Sequence, residues 1–293
     1  MARMDGDGFV ECLGGHRHWG RFGAAGLLLA DPERGVLLQH RAWWTHHGDT
    51  WALPGGALNS SEDPWQAATR EAEEETGIPR DAVRPLSSWT VDHGGWTYTT
   101  VLAQTVRPVP EMVLNGESNE LRWVDPEDVA DYPLHRDFAS AWPVLHPELG
   151  RELVLVVDGA NVVGSRPDGW WRDRAGAAGR LRDRLAGLVR SGVRGEDFAV
   201  SDGPEWSWWP RVVLVVEGRA KGVEPSEDVE VVAAEHDGDS AIVDTVRGLR
   251  ADRPSDHVTV VTADRELRSR VTAEGAAYLG PGTLLAALDE LTQ

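Results

Sequence analysis

The stretch Gly56-Ala57-Leu58-Asn59-Ser60-Ser61-Glu62, continued by Arg70-Glu71-Ala72-Glu73-Glu74-Glu75-Thr76-Gly77-Ile78, decides how the first half of the chain is read. Its pattern predicts a single helix over 63–76. Pro64 suits a first helical turn, where a missing N–H costs nothing. Gly77 suits the C-terminal end, where a residue tolerant of positive φ is wanted. Trp65, Ala68 and Ala72 recur at helical spacing and form the expected buried stripe. Glu71, Glu74 and Glu75 fall at i, i+3 and i+4, which puts three carboxylates on one face. Like charges so spaced destabilise an isolated helix by roughly 0.2–0.5 kcal/mol per pair. A hard divalent cation, which prefers oxygen ligands, turns that repulsion into a binding site. Taken alone, Glu73-Glu74-Glu75 would read as a solvated acidic face.

The complete spacing is more specific. A glycine, five residues, Glu62, seven residues, then Arg-Glu-aliphatic-any-Glu-Glu-any-Gly-aliphatic resembles the Nudix box at every fixed position, with Ala72 small for its aliphatic slot. Trp51-Ala52-Leu53-Pro54-Gly55-Gly56 also resembles the segment that leads into that box. The resemblance covers residues 17–145. It implies a mixed-sheet α/β/α sandwich that hydrolyses a nucleoside diphosphate linked to another moiety, with Mg²⁺ as cofactor and Mn²⁺ as its substitute. A modified nucleoside triphosphate is one candidate substrate; an ADP-sugar or a dinucleotide fits equally.

The same resemblance implies roles. Glu71, Glu74, Glu75 and the Gly56 carbonyl correspond to metal ligands, Arg70 to the residue that orients them, and Glu62 to a support of the loop. Attack of water on phosphorus also needs a carboxylate to take a proton. Glu74 and Glu120 are the candidates, Glu120 as base or as a further metal ligand because Ser118-Asn119-Glu120-Leu121-Arg122-Trp123 lies where many family members carry a further acid, with Glu117 as its alternate. Substrate contacts are less specified. Arg41 is a candidate for a phosphate, and Trp96 and Tyr98, with Trp43 and Trp44, for a base; ordinary packing competes for each.

Organisation along the chain follows from periodicity. In the first half, segments 26–30, 36–39, 88–91, 98–103 and 121–124 read as strands, with Asp92-His93-Gly94-Gly95 as a hairpin turn and a second helix over 138–145. Beyond residue 150 the runs 153–157, 212–216, 229–233 and 258–262 are continuously apolar, as strands covered on both faces are. Helical patterns over 172–189, 241–249 and 265–273 separate them, which predicts a doubly wound parallel sheet. The expected domains are 1–147 and 152–293, joined through His146-Pro147-Glu148-Leu149-Gly150.

Acids gather where the later strands end: Asp158 with Asn161, Glu217, Asp239 and Asp264. The carboxyl ends of parallel strands share one edge, where such folds bind ligands. Any one of these acids reads equally well as a helix cap. Asp158-Gly159-Ala160-Asn161, Glu217-Gly218, Gly238-Asp239-Ser240-Ala241-Ile242 and Thr262-Ala263-Asp264-Arg265-Glu266-Leu267 resemble the NYN branch of PIN-like ribonucleases across 153–290. Two departures stand out: Ser240 where a second aspartate is common, and Glu217 where aspartate is usual. The resemblance implies a candidate metal site formed by those acids, and single-stranded RNA as a partner. Eight arginines against three acids between Arg166 and Arg194, with Trp170-Trp171 and Trp206-Ser207-Trp208-Trp209 nearby, have the right chemistry for it. Two alternatives to a simple nucleotide hydrolase follow: an RNA-processing protein whose ribonuclease half is primary, or a Nudix enzyme carrying an inactive NYN/PIN-like interaction module.

Composition bounds the rest. The 293 residues suit two domains, and 41% hydrophobic content supports globular cores. No apolar run reaches the ~18 residues of a membrane span, and 1–20 has no secretory signature. Cys12 is the only cysteine, which excludes an intramolecular disulfide and any multi-thiolate zinc site. A cytoplasmic protein is expected. The net charge of −19 divides into −12 for 1–150 and −7 beyond, a surface that repels bulk nucleic acid and favours small anions only where a metal intervenes.

Overall fold

The computed structural model describes residues 4–45, 48–109, 116, 118–166, 169–200 and 203–291. Two compact units divide between Gly150 and Arg151.

In the first unit, Phe9–Glu11 (β1) and Arg17–Trp19 (β2) form a separate antiparallel pair. The main sheet is built from Ala24–Asp31 (β3), Gly35–Arg41 (β4), Trp51–Ala52 (β5), Gly55–Ala57 (β6), Val83–Asp92 (β7), Thr97–Thr105 (β8) and Ser118–Val124 (β9). Its order runs β7-β8-β3-β4-β5, with β6 also on β3 and β9 also on β4. Only β3 and β8 run parallel among these pairs, so the sheet is mixed. Six consecutive buried residues open β3, because a strand inside the sheet must bury both faces. The β7–β8 hairpin turns at Gly94 and Gly95, both at positive φ, as a primed two-residue turn requires.

The predicted helix is Pro64–Thr76 (α1). Asp63 and Gln66 form a reciprocal capping box at its start, and Gly77 closes it at φ 72°. Its buried face holds Ala67, Ala68, Ala72 and also Glu75, while Trp65 is only partly covered. A second helix, Arg136–Leu145 (α2), ends the unit.

The second unit carries Leu153–Asp158 (β10), Gly159–Gly164 (α3), Arg174–Ser191 (α4), a small hairpin of Val193–Arg194 (β11) and Trp206–Trp208 (β12), then Arg211–Val216 (β13) and Val229–Ala233 (β14). Gly238–Asp252 (α5), His257–Val261 (β15), Arg265–Ala273 (α6), Ala277–Leu279 (β16) and Pro281–Glu290 (α7) follow. The sheet order is β14-β13-β10-β15-β16, all parallel. Period-two geometry divides β10: Leu153, Leu155 and Val157 pack toward α4 and α7, Val154 and Val156 toward α5 and α6. The sheet is therefore doubly wound, and the order in which strands are added reverses between β10 and β15. Helix α7 and strand β16 lie beyond the segments the sequence predicts. No helix among the described residues is long and apolar enough to cross a membrane.

Candidate active site of the first unit and an acidic edge in the second

Arg70 is the hub of the α1 surface. Its guanidinium donates to both oxygens of Glu62 at 2.7 and 2.9 Å, to the Ala57 carbonyl at 2.9 Å and to Glu71 Oε1 at 2.7 Å. Glu62 is held further by the backbone N–H and side-chain amide of Asn59, both at 3.0 Å. Paired so, Glu62 stays well below the usual carboxylate range, chiefly through Arg70. Burial pushes the Glu71 carboxyl the other way, upward, against the pull of Arg70. Glu71 also lies over Gly56: a Cβ at that position would stand 2.5 Å from its carboxylate carbon. A side chain at 56 would therefore displace the Glu71 carboxylate from this position.

Glu75 points inward. It is 5% exposed and accepts from the Gly55 N–H at 3.2 Å and from Gln39 Nε2 at 3.1 Å. Glu74 is the half-exposed member, 3.8 Å from Arg70. The three glutamates share a helix face, as their spacing requires. They do not meet at one point: among the described residues no group of three or more His, Cys, Asp or Glu is arranged to hold a metal ion. The cause is electrostatic, since like-charged carboxylates turn to the nearest donors, Arg70 for Glu71 and the Gln39–Gly55 pair for Glu75. The donor set still suits a hard cation, being all oxygen, with Glu71 laid against the backbone of Gly56.

Glu120 does not join this group. Directly opposed residues of an antiparallel pair share a face, and Glu120 faces His40. His40 and Gln39 are neighbours on β4 and point to opposite faces, and Gln39 is the one that reaches Glu75. Glu120 is therefore on the far side of the sheet, paired with Arg122. There Arg122 lies over the rings of Trp51 and Tyr132, and His40 stacks on Trp51. An irregularity between His40 and Arg41 shifts the β4–β9 register, so Ser118 bonds Gln39. One bulge reverses which residues of 118–120 look at α1, and nothing in the local sequence marks it. Glu117 lies outside the described residues.

The substrate-contact expectations divide similarly. Trp96 is buried with Cys12 and Ala24 and donates its indole N–H to the Gly20 carbonyl, so it is a core residue. Tyr98 is half-buried, its hydroxyl lodged against Gly26, and burial pushes that hydroxyl up to about 12. The Arg41 charge is felt at that hydroxyl, which brings Arg41 and Tyr98 to one neighbourhood. Trp43 and Trp44 are exposed and meet edge to face. Gln39 and Ser118 are the residues that sequence reasoning missed; a lone glutamine in an apolar strand is the only signal.

In the second unit the acids do gather at the carboxyl edge of the sheet, at the ends of β10, β13 and β15 and the start of α5. Asp158 is buried, accepts from the Thr262 hydroxyl at 2.9 Å and the Asn161 N–H at 3.0 Å, and is pushed upward by burial. Asp239 is raised by burial and by Asp264 beside it. Glu217 accepts from the Gly238 N–H, and Asn161 Oδ1 from the Ala263 N–H. Asp158, Asp237 and Asp264 each cap the helix that follows. The capping reading thus holds for two of the candidate acids, Asp158 and Asp264, and here too no metal-holding group is formed among the described residues. Beside this edge a cleft of about 180 Å³ is lined by Ala160, Val163, Trp170, Arg174 and Glu217. The arginine-rich stretch is less basic than its composition: Arg166 and Arg184 pair with Asp289, Arg182 with Asp183, Arg190 with Asp228 and Arg194 with Glu196. Trp208 is buried in the core, so its expected loop is a strand.

Comparison with known proteins places the first unit. The NUDIX domain family matches residues 20–146. A protein of Mycobacterium tuberculosis named "Putative 8-oxo-dGTP diphosphatase 3" is 48% identical over 152 residues, covering 48% of this chain and 70% of that protein. A "Nucleoside triphosphate pyrophosphatase/Nudix hydrolase fusion protein" of Bifidobacterium longum is 42% identical over 153 residues, 48% of this chain and 31% of that one. The crystal structure of a Nudix hydrolase from M. smegmatis shares 48% identity over 48% of this chain and 92% of that chain, with a TM-score of 0.45. The chain belongs to the Nudix family. Its first unit is a Nudix hydrolase of the pyrophosphohydrolase kind.

Proposed function

We propose that the first unit hydrolyses a modified nucleoside triphosphate with a divalent cation, Mg²⁺ or in its place Mn²⁺. The observation that carries this is the α1 face: Glu71, Glu74 and Glu75 at i, i+3 and i+4, with Glu71 laid on Gly56. The 48% identity to a protein named as an 8-oxo-dGTP diphosphatase supports an oxidised guanine nucleotide as the first substrate to test. Glu71, Glu74, Glu75 and the Gly56 carbonyl would hold the cation, which when bound neutralises phosphate oxygens and acidifies water. Arg70 keeps Glu71 aimed and tied to the loop through Glu62 and Ala57. Glu74, half-exposed, is assigned the proton of the attacking water, since Glu120 is on the opposite face. Arg41 is assigned to a terminal phosphate. The test is release of a nucleoside monophosphate, resolved by chromatography, from 8-oxo-dGTP, an ADP-sugar and a dinucleotide polyphosphate, each with Mg²⁺ and with chelator. Fastest turnover of 8-oxo-dGTP with Mg²⁺ is expected; preference for either other class would refute the substrate assignment.

A second reading concerns the C-terminal unit as a PIN-like domain that cuts single-stranded RNA. It is favoured by the position of Asp158 and Asp264 at the ends of β10 and β15, the point where strand order reverses. Trp170 and Arg174 in the adjoining cleft supply stacking and charge for a strand. Mn²⁺-dependent cleavage of single-stranded RNA is the expected result. A wild-type protein inert on a broad RNA panel would instead favour an inactive interaction module, in keeping with Ser240 and Glu217.

A further inference from the structure

Gln39 is an anomaly of β4. It sits mid-strand, 1% exposed, in a run of Val36, Leu37 and Leu38 that are all buried. An apolar residue would fill the position without burying an amide. The amide instead spends its two hydrogens on Glu75 Oε2, at 3.1 Å, and on the Ser118 hydroxyl. Its own Oε1 is buried without a hydrogen-bond partner among the described residues.

We propose that Gln39 is a positioning residue that fixes Glu75 for the cation, an inference that rests on Glu75 being a metal ligand. Two neutral donors, the Gln39 amide and the Gly55 N–H, converge on the same oxygen of Glu75. A neutral amide donor orients a carboxylate and leaves its charge intact. Ser118 anchors Gln39 in turn, and it can do so because the shifted register between His40 and Arg41 brings Ser118 to that face. The device is assembled from β4, β9, α1 and the start of β6.

The experiment compares wild type, Gln39→Met, Glu75→Gln and the double variant in the full chain. Mn²⁺ alone is titrated by calorimetry, and turnover is measured on whichever of the three panel nucleotides the wild type cleaves fastest. Gln39→Met keeps length and loses the donor. It is expected to weaken Mn²⁺ binding and lower kcat by about 10–100-fold each, with KM within about twofold. The double variant is expected to be no worse than Glu75→Gln, because Gln39 acts through Glu75. Wild-type Mn²⁺ affinity in Gln39→Met beside a dead Glu75→Gln overturns the inference and leaves the glutamate assignment standing, as do losses that simply add. Wild-type behaviour of Glu75→Gln removes the glutamate assignment itself, and this inference with it. Should Gln39→Met not fold, Ser118→Ala decides, since it removes only the anchor: weaker Mn²⁺ binding supports the inference and unchanged binding overturns it.

Discussion

The two units each bring carboxylates together, by different means. In the first, three glutamates lie within five residues of α1, and helical periodicity alone sets them on one face. In the second, Asp158, Glu217, Asp239 and Asp264 come from four separate places in the sequence, and the strand order assembles them. The local cluster is supported by dedicated partners, Arg70 and Gln39, that serve the carboxylates. In the dispersed cluster Asp158 and Asp264 are already occupied as helix caps and Glu217 as a loop tie. Proximity of acids therefore carries more functional weight where the surroundings orient the carboxylates than where the carboxylates orient the surroundings.

The sharpest way to break this contrast is Glu74→Gln. If Glu74 takes the proton, kcat for nucleotide hydrolysis should fall by roughly 10²–10⁴-fold with an unchanged melting temperature. Steady-state kinetics beside a thermal melt checks both. For the dispersed cluster, Asp158→Asn is the matching change. Asparagine caps a helix about as well as aspartate, so stability should move by less than about 1 kcal/mol. Cleavage of single-stranded RNA should nonetheless disappear, and persistent cleavage would assign Asp158 to capping alone.

A smaller effect is expected at Gly56→Ala. The new methyl would meet the Glu71 carboxylate, and displacement of a group by about 1 Å costs on the order of 10²-fold in rate. Reversed by no addition of Mg²⁺, the loss would mark a positional defect; full activity would mean that Glu71 has another place to go. Smallest of all should be Glu120→Gln. Its carboxylate is on the far face with Arg122, so turnover should stay within about twofold of wild type, consistent with the low worth of exposed ion pairs. A large loss would put Glu120 back among the catalytic groups and overturn the face assignment.

Much of the fold was legible in the residues. The helix 63–76, its Pro64 start and its Gly77 stop came from local chemistry, and α1 begins one residue later than expected. The continuous apolar runs of β10, β13, β14 and β15 announced strands covered on both sides, and the hairpin glycines Gly94 and Gly95 announced a tight turn. The errors have a common origin. Trp96 and Trp208 looked available as aromatic surface, yet each is buried. The arginines around α4 looked like a basic face, yet Asp289 and Asp228 neutralise three of them from elsewhere in the chain.

The sequence by itself determined what depends on near neighbours: a helix with its caps, a row of three glutamates, and strands whose apolar runs require cover on both sides. Helical and strand periods are short, so residues a few positions apart suffice to specify them. Tertiary structure alone decided which face Glu120 takes, which donors hold Glu75, and which strand ends stand side by side. Those outcomes depend on register and strand order, and a one-residue shift in pairing sends a side chain to the opposite face of a sheet. The bulge after His40 does this here, exchanging an expected glutamate for a serine and a glutamine beside α1.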